Sequence, residues 1–307
     1  MKKNHKKYRK RHRLLVSMLA LLVLIEVGLK LYGFGNPPLY VSHPKYEYIY
    51  APNQEVKRFG NKIVTNAYSM RNQKGDENKQ VVVLGMGDSV INGGSHTDHD
   101  SLATTILQGY LSKETGQDVA VLNVGANSWG PDNAFAYLSE KGHFASKGLF
   151  LIFNSHDWND NRHFRPVVGV HPSWPATPPL TATGDLLVNY VLPKIKSWFG
   201  YKEFAHLDGF DDSATNSGWQ NFIDYATENN LPLLVYLHAD VNEQRAKKYN
   251  QKGLKIISFL EHNQIPVITD LNVMPIDGYR DNIHLNQKGQ RVMAKLLQRQ
   301  LAAWIED

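Results

Sequence analysis

The chain has 307 residues, 42% of them hydrophobic and 21% charged, which suffices for one sizeable α/β domain with a short appendage but is too little for two full domains. It contains no cysteine, which excludes disulfides, thiolate nucleophiles and cysteine metal sites and leaves covalent chemistry to Ser, Thr, Lys or a carboxylate. The formal charge of +5 does not point to nucleic acid, because Met1 to Arg13 carry eight Lys or Arg and no acid, whereas the remainder holds 26 basic against 29 acidic residues and no basic patch with interleaved aromatics.

In chain order, residues 1–13 form a basic tail and residues 14–34 a run that is apolar apart from Ser17, Glu26 and Lys30. Its length matches the ~20 residues that cross a bilayer core as a helix. Glu26 and Lys30 stand four apart on one helical face and can pair. The positive charges ahead of the span are expected to stay cytoplasmic, giving a single-pass plasma (inner) membrane protein whose remainder is extracytoplasmic. A cleaved signal peptide is the competing reading; it needs a small-residue cleavage site, and Gly28-Leu-Lys-Leu-Tyr-Gly supplies none of the Ala-x-Ala type.

Gly35-Asn-Pro-Pro stops the helix, and residues 35–79 read as an extended linker region of short segments ending in a polar connector. From residue 80 to 307, apolar runs alternate with helical periodicity. That pattern predicts a parallel sheet flanked by helices. The expected strands are Val81 to Gly85, Val119 to Val124, Leu149 to Phe153, Leu233 to Leu237 and Pro266 to Thr269. The expected helices are Ser101 to Leu111, Pro131 to Lys141, Gly218 to Asn229, Asn242 to Glu261 and Gln287 to Trp304. Residues 162–212 break the alternation with early prolines and scattered aromatics, and read as an insertion covering a site.

In open parallel sheets ligands bind beyond the carboxyl ends of the strands. After the first strand comes Gly85-Met-Gly87-Asp88-Ser89-Val90, a tight strand-to-helix turn from which a serine emerges. Near the end, Asp281-Asn-Ile-His284 precedes Asn286, a cap for the last helix. A spacing of three lets Asp281 accept from one ring nitrogen of His284 and leaves the other for Ser89. An unassisted hydroxyl is a poor nucleophile near neutral pH, and a histidine base held by a carboxylate is the usual remedy.

Together these residues resemble the SGNH/GDSL hydrolase family over about Val81 to Leu301. Gly87-Asp88-Ser89-Val90 is similar to the family's first block, Asn123-Val-Gly125 to its second and Asp281-Asn-Ile-His284 to its last. The resemblance implies a three-layer α/β/α sandwich with a flavodoxin-like parallel sheet, a catalytic Ser89, His284 and Asp281, and an oxyanion hole from the N–H groups of Ser89 and Gly125 with a side chain of the third block. That block departs from pattern: Asn154-Ser155-His156-Asp157 puts His156 where the family has its asparagine, with Asn154 as the runner-up. No Gly-x-Ser-x-Gly elbow surrounds Ser89, which disfavours the α/β-hydrolase fold.

Four tryptophans, Trp129, Trp158, Trp174 and Trp198, fall in loops or the insertion, suited either to stacking on sugar faces or to sealing the insertion onto the core. Trp129 and Trp158 are the candidate substrate contacts. The loop His96-Thr-Asp98-His99-Asp100 reads as caps and a polar turn rather than a metal site, and the chemistry calls for no cofactor. The resulting expectation is a membrane-anchored ester hydrolase acting on an acylated saccharide or other acyl ester, with no nucleic-acid partner. An O-acyltransferase on envelope polysaccharide and a non-catalytic polysaccharide-binding protein are the alternatives.

Overall fold

A computed structural model describes residues 2–200 and 214–306, and side chains from residue 9 onward. Its first element is α1 (Lys2–Tyr32), of which Arg9–Tyr32 is long and apolar enough to cross a membrane and has no share buried in the protein. The helix closes at Gly33, in a backbone conformation with φ 105° that a side chain resists. Phe34, expected to end the span, is buried against Phe59 and Tyr190 and belongs to the globular part.

Two antiparallel hairpins follow, β1 (Tyr40–His43) with β2 (Glu47–Tyr50) and β3 (Glu55–Arg58) with β4 (Asn61–Val64). The linker region is thus more than a tether. Tyr40, Tyr48 and Tyr50 pack into the main core. Buried Arg71 donates to the carbonyls of Asn92 (2.8 Å), Gly94 (3.0 Å) and Thr97 (3.3 Å), which fastens the loop beyond Ser89.

The domain continues with β5 (Val81–Gly87), α2 (Ser89–Asn92), α3 (Ala103–Thr115), β6 (Val119–Gly125), α4 (Pro131–Lys141) and β7 (Leu149–Asn154). The insertion contributes α5 (Ala182–Leu186), a looser turn at Leu187–Val191 and α6 (Leu192–Trp198), which join into one helical arm. Then come α7 (Gly218–Glu228), β8 (Leu233–His238), α8 (Val241–Ala246), α9 (Gln251–His262), β9 (Val267–Thr269) and α10 (Gln287–Glu306). Residues 201–212 of the expected insertion lie outside the described residues.

The five later strands form one parallel sheet in the order β6-β5-β7-β8-β9. Counted within the sheet this is 2-1-3-4-5, the flavodoxin-like order, whose switch point lies at the first strand. Both faces are covered, so the strands are apolar at nearly every position. Val82, Leu84 and Met86 face a core closed by α4, α7 and α9, while Val81 and Val83 face one closed by α3 and α10.

The single helix expected from Asn242 to Glu261 is two. Lys247 adopts φ 54°, and the side chain of Asn250 accepts from the Lys252 and Gly253 N–H groups to start α9 afresh. A short polar side chain that bonds its own backbone competes with helix continuation.

Candidate active site

Ser89 opens α2 directly beyond β5. Asp88 caps the helix, its Oδ1 accepting from Val90 N–H at 2.7 Å. The turn is tight enough to exclude side chains from its neighbours. A Cβ on Gly87 would lie 2.2 Å from the Ile152 carbonyl oxygen, and one on Gly125, at the end of β6, 2.8 Å from the carbonyl oxygens of both Gly87 and Asp88. Asn123 donates to the Ile91 carbonyl at 2.8 Å, and Asn92 to that of Gly125 at 2.7 Å. The nucleophile segment is therefore bolted to the second strand from both sides.

The histidine arrives on the loop before α10. Tyr279 bridges to Leu285, and Arg280 N–H donates to the His284 carbonyl at 2.8 Å, folding residues 279–285 back on themselves. Asp281 Oδ1 accepts from the N–H groups of Ile283 (3.0 Å) and His284 (2.8 Å), and the carboxylate lies 2.9 Å from His284 Nδ1. His284 Nε2 stands 3.0 Å from Ser89 Oγ. A carboxylate only accepts, so Nδ1 carries the proton and Nε2 presents its lone pair to the serine hydroxyl. Burial pushes the Asp281 carboxyl up, but the hydrogen bonds from His284 and Ile283 outweigh it and hold the group below its ordinary value.

A second histidine supports this loop from behind, at a position the sequence reading passed over. His238, at the end of β8, lies fully buried with Nε2 2.8 Å from the Ile283 carbonyl and Nδ1 2.5 Å from Asp270 Oδ2. Both ring nitrogens face acceptors. Burial alone would push the imidazole down, yet the Asp270 carboxylate reverses this and raises it. Tyr236 (3.0 Å) and Ala239 N–H (2.8 Å) complete the carboxylate's partners. Both residues follow apolar strands, the place where such groups are sought.

The third block places its two candidate side chains differently. A tight turn starts after Asn154 and carries the chain off the sheet edge. His156 is exposed, with Lys252, Glu243 and Asp240 as its charged surroundings. Asn154 instead ends β7 beside the nucleophile turn, where its Nδ2 donates to Asp88 Oδ2 at 2.8 Å.

Asn154 also stands between two buried carboxyls, since its N–H donates to Asp157 at 2.7 Å. Burial pushes Asp88 up to about 6, against hydrogen bonding by Val90, and pushes Asp157 up as well, reinforced by the Asp88 charge. Between about pH 4 and 6 the folded chain therefore holds protons that the unfolded chain has released, so stability falls as pH rises through that window. We expect this to show as a flatter pH dependence of the urea midpoint in Asp88→Asn than in the parent chain. An equally steep dependence in both would exclude it.

Ser89 and His284 line a cavity of about 710 Å³ walled by the first hairpin, the His96 loop, the insertion and Arg280. Within it, Arg58 donates to Asp185 (3.0 Å) and to Tyr190 (2.9 Å), while the guanidinium of Arg280 lies 3.7 Å from Asp281. Burial, helped by Arg280 and Arg58, pushes His96 below its ordinary value. Two expected substrate contacts lie elsewhere. Trp129 is fully buried and donates to the Tyr48 carbonyl at 2.9 Å, and Trp158 packs against Phe259. Trp174, from the insertion, does line the cavity. Arg58, Asp185 and Tyr190 had no local signature, because only the fold draws residues so far apart in sequence together.

No protein-family model and no curated protein matches the chain. Among solved structures it is similar to a lipase/acylhydrolase from Enterococcus faecalis, with 11% identity, 73% of this chain and 96% of that one covered, and a TM-score of 0.42. It is similar as well to the psychrotrophic esterase EstA from Pseudoalteromonas sp., with 10% identity, coverage of 74% and 99%, and a TM-score of 0.43. A carbohydrate acetylesterase family member from Sinorhizobium meliloti gives 13% identity, coverage of 74% and 100%, and a TM-score of 0.41.

Proposed function

We propose that the chain is a serine ester hydrolase of the SGNH/GDSL kind, anchored in the plasma membrane by α1 with its domain on the outer face, and removing acetyl or other short acyl groups from a polysaccharide. The observation that carries this reading is the relay from Asp281 through His284 to Ser89, at 2.9 and 3.0 Å, assembled from residues 195 positions apart.

The chemistry follows from the geometry. His284 Nε2 takes the hydroxyl proton as Ser89 Oγ attacks the ester carbonyl, and the Asp281 carboxylate stabilises the imidazolium that forms. Negative charge develops on the carbonyl oxygen, for which Ser89 N–H, Gly125 N–H and the second Nδ2 hydrogen of Asn154 are the donors. Collapse breaks the ester C–O bond, and His284 returns its proton to the leaving alcohol. Water then attacks the acyl-serine with the same base, releasing the acid and restoring Ser89. The cavity is far larger than an acetyl group needs, leaving room for the carrier, and its arginines and Trp174 suit a polar, hydroxyl-rich one.

The test is p-nitrophenyl ester hydrolysis by the full chain in detergent, followed by an acetylated oligosaccharide. Turnover that declines from acetyl to longer acyl chains supports the reading, whereas no turnover of any ester rejects it. Product analysis with a sugar acceptor separates hydrolysis from acyl transfer. Two substitutions address the third donor: Asn154→Ala is expected to lower kcat by roughly 10²- to 10³-fold, and His156→Ala to leave it within about twofold of the parent. The reverse order would return His156 to the oxyanion site.

A further inference from the structure

Exposed large apolar side chains concentrate on α1 and on the arm formed by α5 and α6. On the arm they include Val188 (58% exposed), Leu192 (43%), Ile195 (39%) and Phe199 (84%), with Trp198 (84%) beside them. Positions 188, 192, 195 and 199 follow helical spacing and form one stripe. Over residues 185–190 the other side of the arm is polar and engaged. Asp185 accepts from Arg58 (3.0 Å) and from Gly35 N–H (2.8 Å), Tyr190 accepts from Arg58, and Asn189 faces the cavity. A surface helix of a soluble domain has the opposite arrangement, apolar toward the protein and polar toward water.

The arm's position indicates what covers the stripe. Its first turn is caught by Glu26 of α1, which accepts from Ala182 N–H (2.8 Å), Thr183 N–H (2.9 Å) and the Thr183 hydroxyl (2.8 Å). Further along, Tyr190 packs edge-on against Phe34, just past the end of α1. The arm therefore packs along the last turns of α1, whose exposed apolar side chains run from Leu14 to Tyr32, with Glu26 turned toward the arm and Phe34 beyond the helix end buried in the globular part. Residues 186–200 include Lys194 and Lys196 and no acid, a charge balance suited to anionic headgroups.

We propose that the arm, residues 182–199, is an interfacial membrane-binding element: its apolar stripe lies among the acyl chains of the leaflet that α1 leaves, and its polar side holds the mouth of the catalytic cavity at the membrane surface. The inference rests on the reading of α1 as a membrane anchor. An amphipathic helix with a broad apolar face, a tryptophan and lysines is the composition that settles at the headgroup boundary. Docking it to the anchor confines it there.

Because the chain has no cysteine, single cysteines report each position without background. Full-length Val188→Cys, Trp198→Cys, Leu21→Cys on α1 and Lys113→Cys on the distant α3 would each be labelled with an environment-sensitive fluorophore. Each is reconstituted in vesicles of phosphatidylcholine and phosphatidylglycerol, with or without doxyl-labelled lipid. Blue-shifted emission and quenching of about twofold or more at 188 and 198, as at 21 and unlike 113, is the expected result. Quenching at 21 with 188 and 198 behaving like 113 overturns the inference and leaves the anchor standing. Unquenched 21 removes the anchor beneath it. Blue shift at 188 and 198 without quenching assigns the stripe to a protein surface and overturns it as well.

Discussion

Ser89→Ala is expected to abolish acyl-serine formation and lower kcat by roughly 10⁴- to 10⁶-fold, with the fold intact. The side chain is partly exposed at the start of a helix whose cap is the neighbouring Asp88, so among the described residues its loss removes one hydroxyl and its bond to His284. If serine and histidine act as a unit, as proposed, the double substitution Ser89→Ala/His284→Ala should cost little more than either alone. The measurement is steady-state kinetics on p-nitrophenyl acetate beside a thermal unfolding midpoint. Activity surviving within about tenfold would remove Ser89 from the nucleophile's role.

Asp281→Asn should lower kcat by roughly 10²- to 10⁴-fold while leaving KM nearly unchanged. The carboxylate receives the His284 ring N–H and two backbone N–H groups. An amide keeps one acceptor and turns the other into a donor. The ring would then meet a donor and favour the wrong tautomer, with Nε2–H directed at Ser89. Folding stability also acquires a sign. Since the Asp281 carboxyl is held below its ordinary value, its stabilising contribution is complete above the unfolded-state value and is lost as pH falls through the folded one. Asp281→Asn should accordingly weaken the acid-side loss of stability, opposite in direction to Asp88→Asn. Full activity in Asp281→Asn would mean that the loop backbone alone orients His284.

Local pattern carried much of the architecture. The five apolar runs became five parallel strands within a few residues at each end, because a strand buried on both faces is apolar almost throughout and glycine or polar residues mark its ends. The helix from Pro131 to Lys141 came out as expected, with Pro at its first turn and Gly142 closing it. The division at Lys247 was missed because apolar spacing persists across it while the cap at Asn250 is a side-chain event. The proximity of Ser89 and His284 could be anticipated because both follow strands at the same sheet edge. Local sequence also pairs Asp281 with His284 on one loop.

The remaining contacts depend on position in three dimensions. That Asn154, and not His156, bonds the Asp88 side chain of the nucleophile turn depends on where β7 ends, a matter of one peptide turn. His238 and Asp270 were visible as polar residues after strands, but their support of Ile283 arises only when the last loop folds over them. Trp129 looked like a binding residue from its loop and lies in the core, since burial depends on what the hairpin of residues 40–50 places above it.

What the amino-acid order determined by itself was the periodicity of the elements, the tight glycine turn at the nucleophile and the Asp281–His284 spacing, all of which are fixed by backbone sterics and hydrogen bonding within a few residues. What only the tertiary structure decided was the cavity wall and the arm against α1, where Arg58, Asp185 and Glu26 meet partners 127 to 157 positions away. Contacts of that range leave no local periodicity, because they are selected by the packing of whole elements rather than by the conformational preferences of neighbouring residues.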